Sequence, residues 1–460
     1  MKFKTNAIIG LIFIGLFGFV YFYEIKGGEE RRKEAEKSKQ LLDFTEGHVS
    51  RLKLQRGDTT LVLQKGSEGW NFSSPVKDGA DQDAVERYLR NLGESEREKV
   101  VVDSASSTTG EAAKYGLDAP RLTVEIEAED GTTQEVRWGD DSPTDRFTYA
   151  QMAGTNPEIF VVRAWRFDNL DKGVFDLRDR RVLAIAKDEV VEIRRRTPDG
   201  QLLLARETEG WQMLQPLTSV ADVEAVNALL DKIDGAQIEA FVDEDPELDD
   251  LQTYGLDKQY SEWTFLVGPD RAEKRLSIGW SNGQGSFYAR DASRQQVFLV
   301  DSTVVQHTEK SIDQLRDRKP LRFVRDTITG IRLAKGGERV FEAAKDTSGL
   351  WSLTDPATDA KSWKLNSLVG DMGQLEVAGF TEQVPEGSVS ALEIELISGE
   401  QVSLSIRVLQ NEGVSYLQQQ GDNSVYILAE DDFAELALDL EDVAQSPAKP
   451  AESAGGTDSD

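Results

Sequence analysis

Glu68-Gly69-Trp70 returns as Glu209-Gly210-Trp211 and again, with one residue inserted, as Ser348-Gly349-Leu350-Trp351, the tryptophans standing 141 and then 140 residues apart. A step held that closely marks tandem copies of one unit, because unrelated domains have no reason to share a period. Two further landmarks keep it. Tyr115-Gly116-Leu117-Asp118 recurs 139 residues on as Tyr254-Gly255-Leu256-Asp257, and Leu177-Arg178-Asp179-Arg180 recurs 138 residues on as Leu315-Arg316-Asp317-Arg318. Length agrees, since 460 residues exceed one hydrophobic core and suit about three domains of usual size.

Upstream of each tryptophan lie two short alternating apolar runs around a turn. They are 49–54 and 61–63 around Arg56-Gly57-Asp58, 190–193 and 202–204 around Thr197-Pro198-Asp199-Gly200, and 331–333 and 340–341 around Gly336-Gly337. Each pair reads as a β-hairpin. The glycine before Trp70, Trp211 and Trp351 permits a tight bend, and the indole supplies a large surface to plug a core. Downstream, Val85, Tyr88, Leu89 and Leu92, then Val226, Leu229, Leu230 and Ile233, recur at helical spacing, so helices over 81–92 and 222–233 should each cover one sheet face. A shorter helix is expected before each Tyr-Gly-Leu-Asp, capped in the second copy by Asp245 with Pro246 at its first position. Gly116 and Gly255 would stop it in the left-handed conformation while Leu117 and Leu256 fold back on the last turn. Strands follow at 122–127, 136–138, 147–150 and 160–162, and their order repeats downstream. Runs of strands with few helices between them predict α+β modules of mostly antiparallel sheet, since parallel strands need long crossovers.

The expected organisation is a cytoplasmic stub and transmembrane anchor at 1–26, a charged stalk at 27–47, and modules at 48–182, 183–321 and 322–444. The third copy is degenerate, lacking both Tyr-Gly-Leu-Asp and Arg-Asp-Arg, as suits a terminal unit with no onward junction. A polar tail at 445–460 is expected to be disordered. Residues 7–23 form an uncharged, mostly apolar run, about 26 Å long as a helix. Lys2 and Lys4 before it would also suit a signal peptide, but no Ala-x-Ala-like site follows, and Phe19-Val20-Tyr21-Phe22-Tyr23 places aromatics where an interfacial belt belongs. In the stretch beyond, apolar residues are too few for a helix embedded in the membrane surface.

Charge and residue types exclude several functions. With 53 basic against 83 acidic residues, the net of −30 repels phosphate backbones, so nucleic acid is not an expected partner. Cysteine is absent, which removes disulfides, thiolate metal sites and a cysteine nucleophile. Only His48 and His307 titrate near neutrality, and no nucleophile elbow, zinc-protease helix, phosphate-binding loop or dinucleotide fingerprint is present. Ser74-Pro75-Val76-Lys77 matches Ser-x-x-Lys of penicillin-binding enzymes without its Lys-Thr-Gly partner. The acidic run 243–250 could ligate calcium but lacks the loop glycine, and acids at a helix start are explained by the helix dipole. Gly139-Asp140-Asp141 reads as a strand-end turn. Arg178, Asp179, Arg180, Arg316, Asp317 and Arg318 could fork onto an anionic ligand or pair with one another at a junction, the second being favoured. No catalytic, cofactor or metal residues are assigned, no enzyme is expected, and the identity of any small-molecule ligand stays open.

With the apolar run, the Gly-Trp turn, the Tyr-Gly-Leu-Asp element, the Phe-Tyr-Ala strand and the Leu-Arg-Asp-Arg closure, the chain resembles the bacterial domain-of-unknown-function 4340 family. The resemblance implies a membrane-anchored protein encoded beside a gliding-type ABC exporter and acting as its accessory, with the body on the periplasmic side of the inner membrane. Basic residues oppose that orientation, because Lys26, Arg31, Arg32, Lys33 and Lys37 outnumber Lys2 and Lys4. The expected role is a non-enzymatic scaffold or transporter accessory. The alternatives are an envelope glycan-binding or glycan-active protein using acidic cleft residues, and a scaffold facing the cytoplasm.

Overall fold

The computed structural model describes residues 39–103, 110–154, 158–208, 210–257, 261–422 and 424–445. The apolar run 7–23, the stalk through residue 38 and the tail from 446 lie outside the described residues. Among the described residues, no helix is long and apolar enough to cross a membrane.

Each copy builds one nine-stranded antiparallel sheet. The first comprises β1 (Val49–Arg56), β2 (Thr59–Gly66), β3 (Gly69–Ser74), β4 (Asp78–Gly79), β5 (Lys99–Val102), β6 (Leu122–Ala128), β7 (Thr133–Asp141), β8 (Phe147–Met152) and β9 (Ile159–Arg163). Their order across the sheet is β4-β3-β2-β1-β6-β7-β8-β9-β5, two meanders joined where β1 pairs with β6. The second sheet repeats this order with β10 (Val190–Thr197), β11 (Gly200–Glu207), β12 (Gly210–Gln215), β13 (Ser219–Val220), β14 (Ala240–Asp243), β15 (Ser261–Val267), β16 (Ala272–Ser281), β17 (Ser286–Asp291) and β18 (Val297–Asp301). The third repeats it with β19 (Gly330–Lys335), β20 (Glu338–Lys345), β21 (Trp351–Asp355), β22 (Ala357–Asp359), β23 (Gly379–Thr381), β24 (Val389–Ser398), β25 (Gln401–Asn411), β26 (Val414–Gln419) and β27 (Val425–Leu428). The third copy therefore keeps the whole topology although two sequence landmarks are missing.

Alternation along each strand sends one set of side chains to a core and the other outward. In β1, Leu52 and Leu54 are buried while Arg51 and Lys53 face out. The long helix between the fourth and fifth strands covers the apolar face. Helix α1 (Gln82–Gly93) starts at Asp81, whose carboxylate accepts from Ala84 N at 2.9 Å, and buries Val85, Tyr88, Leu89 and Leu92. Val85, Leu89 and Leu92 are each worth about 1.5–3 kcal/mol on burial. Shorter helices α2 (Ala164–Leu170) and α3 (Val174–Leu177) follow the last strand. The second copy uses α4 (Val223–Asp234), capped likewise by Asp222, then α5 (Leu248–Thr253) and α6 (Ser302–Thr308). The third uses α7 (Ser362–Gln374), α8 (Glu430–Leu436) and α9 (Leu440–Val443).

Three local expectations are corrected. Leu41 and Leu42, which the sequence groups with the stalk, are 2% exposed and belong to the first core. Helix α5 begins at Leu248 and not at Pro246; its N-cap is Glu247, whose N–H donates to Asp250 Oδ2 at 3.0 Å. Gly139-Asp140-Asp141 is the end of strand β7, not a turn. By contact, the chain divides into one compact unit up to Arg181 that also includes Gln237–Glu239, and a second formed by Val182–Ala236 and the residues from Ala240.

Candidate functional site

The Leu-Arg-Asp-Arg closure adds one more rung to the edge of its own sheet. Asp81 N donates to Leu177 O at 2.9 Å and Asp179 N to Gly79 O at 3.0 Å, and the second copy repeats both through Leu315 and Asp317. The third copy keeps this backbone with Ala444-Gln445 in place of Arg-Asp: Lys361 N donates to Val443 O at 2.7 Å and Gln445 N to Asp359 O at 2.9 Å. The last carbonyl of the closure accepts from the segment preceding a fifth-type strand. Arg180 O takes Ile238 N at 2.6 Å and Arg318 O takes Val377 N at 2.9 Å. At the start of the described chain, Lys39 O takes Arg97 N at 2.7 Å, so Lys39 makes the bond that Arg180 and Arg318 make elsewhere.

The arginines of the closure are engaged. Arg178, 2% exposed, donates from Nε to Asp78 Oδ2 at 2.7 Å, and Arg180 lies 4.8 Å over the Phe175 ring. Asp179 accepts from Arg181 Nη2 at 2.6 Å. In the second copy Ser219 stands where Asp78 stands in the first; buried Arg316 donates from Nε to Ser219 Oγ at 3.4 Å and lies 3.7 Å over the ring of Phe380 in β23. Asp422, which accepts from Tyr426 Oη at 2.6 Å, lies close enough for the charge of Arg316 to act on it. Burial pushes the Tyr426 hydroxyl up to about 12, with the Asp422 bond in the same direction. Burial also pushes the Asp422 carboxyl up, but hydrogen bonds from Tyr426 and Ser424 outweigh it and leave it below its ordinary value. Arg318 donates to Val377 O at 3.0 Å and Ala378 O at 2.5 Å, while Asp317 pairs with Arg322. These groups splice the second module to the third and engage the guanidiniums of Arg316 and Arg318 with protein partners.

The Tyr-Gly-Leu-Asp element ends its short helix with Gly116 and Gly255 at φ of 70° and 68°. Leu256 N donates to Leu251 O at 2.8 Å and Gly255 N to Gln252 O at 3.1 Å, the two bonds of a Schellman stop. Leu117 and Leu256 are buried. The element docks on a strand glycine: a Cβ at Gly139 would stand 2.1 Å from Tyr115 O, and one at Gly279 2.1 Å from Tyr254 O. Tyr115 packs on Tyr149, and Tyr254 on Tyr288, with ring centroids 4.7 and 4.8 Å apart. Trp70, Trp211 and Trp351 are buried, and the backbone around Trp70 is clamped by Gln82, which accepts from Trp70 N at 2.7 Å and donates to Trp70 O at 3.0 Å. Ser362 accepts from Trp351 N in the third copy at 2.9 Å. A cis X-Pro bond follows each of these strands, at Pro75, Pro216 and Pro356, a landmark keeping the same period.

The residues with catalytic potential do not converge. Ser74 ends β3 and Lys77 lies in the turn after it; His48 and His307 are both exposed, in different modules. Among the described residues, no group of three or more metal-ligating side chains gathers, the 243–250 run included.

What remains is the sheet face opposite the helix, a grid of charged side chains. It carries a cleft of about 520 Å³ in the second module, bordered by Arg194, Arg196, Glu262 and Arg275, and one of about 590 Å³ in the third, bordered by Arg332, Glu393, Glu395 and Arg407. In the first module Lys53 pairs with Glu125 at 3.0 Å and Arg137 with Glu135 at 2.8 Å. Such half-exposed pairs each contribute about 0–1 kcal/mol, too little for stability to account for the grid. Sequence reading missed this surface, although Arg194-Arg195-Arg196 within an alternating strand was its signal. Arg195 points to the other face, over Trp263 at 5.5 Å, where burial lowers its pKa.

The family of a domain of unknown function, DUF4340, matches residues 70–259 and again 211–393. The chain belongs to that family. The two matches start on Trp70 and Trp211, the tryptophans that set the repeat. No curated protein and no solved structure matches the chain.

Proposed function

We propose that this DUF4340 protein is a non-catalytic scaffold, anchored in the inner membrane by residues 7–23 with its modules in the periplasm, and that it serves as accessory to an ABC-type transporter. The observation that carries the reading is the splice between like modules. A closure that is itself a sheet rung continues into the next module through Arg318 and Val377 and is sealed by Arg316 over Phe380. Chains built this way gain extended repeated surface, which suits binding partners more than enclosing a reaction. The apolar run with its aromatic end supports the anchor.

Native-membrane extraction in mild detergent followed by affinity capture tests the role: a transporter subunit should be recovered with the full chain, and recovery of no membrane partner overturns it. Orientation is tested separately. A reporter active only in the periplasm, fused after Asp460, should be active, and an inactive fusion with stable expression places the body in the cytoplasm.

A further inference from the structure

We propose that strand β5 of the first module is a self-association edge, on which β5 of a second copy of this chain docks antiparallel. Neither the anchor nor the transporter role is needed for it. β5 lies at the end of its sheet, paired on one side with β9. Leu41 N donates to Ser95 O at 3.0 Å and Arg97 N to Lys39 O at 2.7 Å, so the incoming chain follows the outer side of this edge as far as Arg97. Beyond that point Lys99, Val100 and Val101 are exposed, the two valines at 42% and 40%. The third module shows the same edge covered. Phe380 stands opposite Tyr426 there as Val100 stands opposite Phe160, and the preceding closure seals the strand, with Arg316 over Phe380 and Arg318 donating to Ala378 O. The residues of β23 are accordingly half-buried. Among the described residues no closure precedes the first module, and its edge valines face water.

An edge strand presents backbone N–H and C=O groups to which another strand can pair, and an apolar edge makes that pairing favourable. Consecutive valines also favour extended backbone. The register shift between Val100 and Val102 interrupts alternation, which is why neighbouring valines are both exposed, and it keeps the contact to a few residues. Sequence selects the occupant. About a two-fold axis through Val101, Lys99-Val100-Val101-Val102-Asp103 is its own antiparallel complement: Val100 meets Val102, and Lys99 meets Asp103 at both ends. Parallel pairing in register would set Lys99 against Lys99. Among the described residues Lys99 has no ion-pair partner of its own. The segment carries one charge of each sign, so it is locally neutral in a chain whose net of −30 otherwise makes copies repel. A lipid surface would cover the valines but leave the strand's backbone groups unpaired.

The chain has no cysteine, so a single introduced one reports only its own surroundings. Two differently tagged copies of the full chain are made together, treated in intact cells with a membrane-permeant bismaleimide and captured through one tag. With Val101→Cys in both, a product of two chain masses carrying both tags is expected, because the two-fold axis sets position 101 beside itself. Leu248→Cys, 82% exposed in the second module, should give none. In the Val101→Cys background, Lys99→Asp alone or Asp103→Lys alone should cut the product by about fivefold or more, since each sets like charges together at both ends, and the two combined should restore it. Thermal melts confirm that each variant folds. No product at position 101, as much product at 248, a product joining one copy to a different protein, or a double exchange that stays low overturns the proposal. Transporter recovery in the capture experiment can succeed while this cross-link fails, so the two readings fall separately.

Discussion

Gly139 and Gly279 occupy positions where a single methyl has nowhere to go, because the nearest atom is a backbone carbonyl oxygen held by the preceding helix stop. Gly279→Ala should therefore destabilise the second module by about 2–4 kcal/mol. Gly283→Ala, at a φ of 75° with nothing within 4 Å of the new methyl, meets only backbone strain and should cost about 1 kcal/mol. Urea unfolding of both variants checks the order, and a cheaper Gly279→Ala would refute the tight docking of Tyr254. At the N-terminal edge, Leu42→Ala should cost about 2–5 kcal/mol, the range for a truncated core leucine. A surface stalk residue would cost almost nothing, so the same denaturation experiment decides where the first module begins. These sites differ in legibility. The recurring Tyr-Gly-Leu pointed to a helix stop in sequence, but nothing local to Gly139 distinguishes a strand glycine pressed by another segment from a turn glycine.

The closure is the element that decides how modules are spliced, and its behaviour follows from the groups it brings together. Arg316→Ala removes a buried guanidinium from Phe380 and should weaken the splice by about 1–3 kcal/mol. Calorimetry should then show the second and third modules melting further apart; an unchanged trace would mean that the backbone bonds alone hold them. Tyr426 and Asp422 add a pH dependence with two signs. The tyrosine pKa is raised from 10.0 to about 12, so its contribution to stability is whole below 10 and is lost as pH rises through about 12. The Asp422 pKa is lowered, so its contribution is present above the ordinary carboxylate value of 3.8 and is lost as pH falls through its folded value. Unfolding curves followed from acid to alkaline pH, with tyrosinate absorbance as a second signal, should show Tyr426→Phe reducing the alkaline fall, with the remainder left to the buried Tyr88 and to Tyr254, whose pKa values are also raised. The Leu-Arg-Asp-Arg repeat was visible as a junction in sequence. That its third counterpart survives as Val443-Ala444-Gln445 was not, because a β-rung is made by backbone groups that any residue except proline supplies.

At the scale of the molecule, period, composition and patterning were sufficient for three α+β modules with antiparallel sheets, while the DUF4340 family was a resemblance carried by the recurring motifs. Those properties are carried by local rules: alternation for strands, helical spacing for α1 and α4, glycine where φ turns positive. Tertiary structure alone decided that β1 pairs with β6 and that β5 crosses to the far edge beside β9, since pairing joins residues distant in sequence whose strand signals are alike. It also decided that Leu41 and Leu42 are core, because the surface they cover is built by residues far along the chain. The charged grid follows the same logic. Each arginine and glutamate is a plain outward position when read singly, and only register across β10, β15, β16 and β17 assembles them into one face.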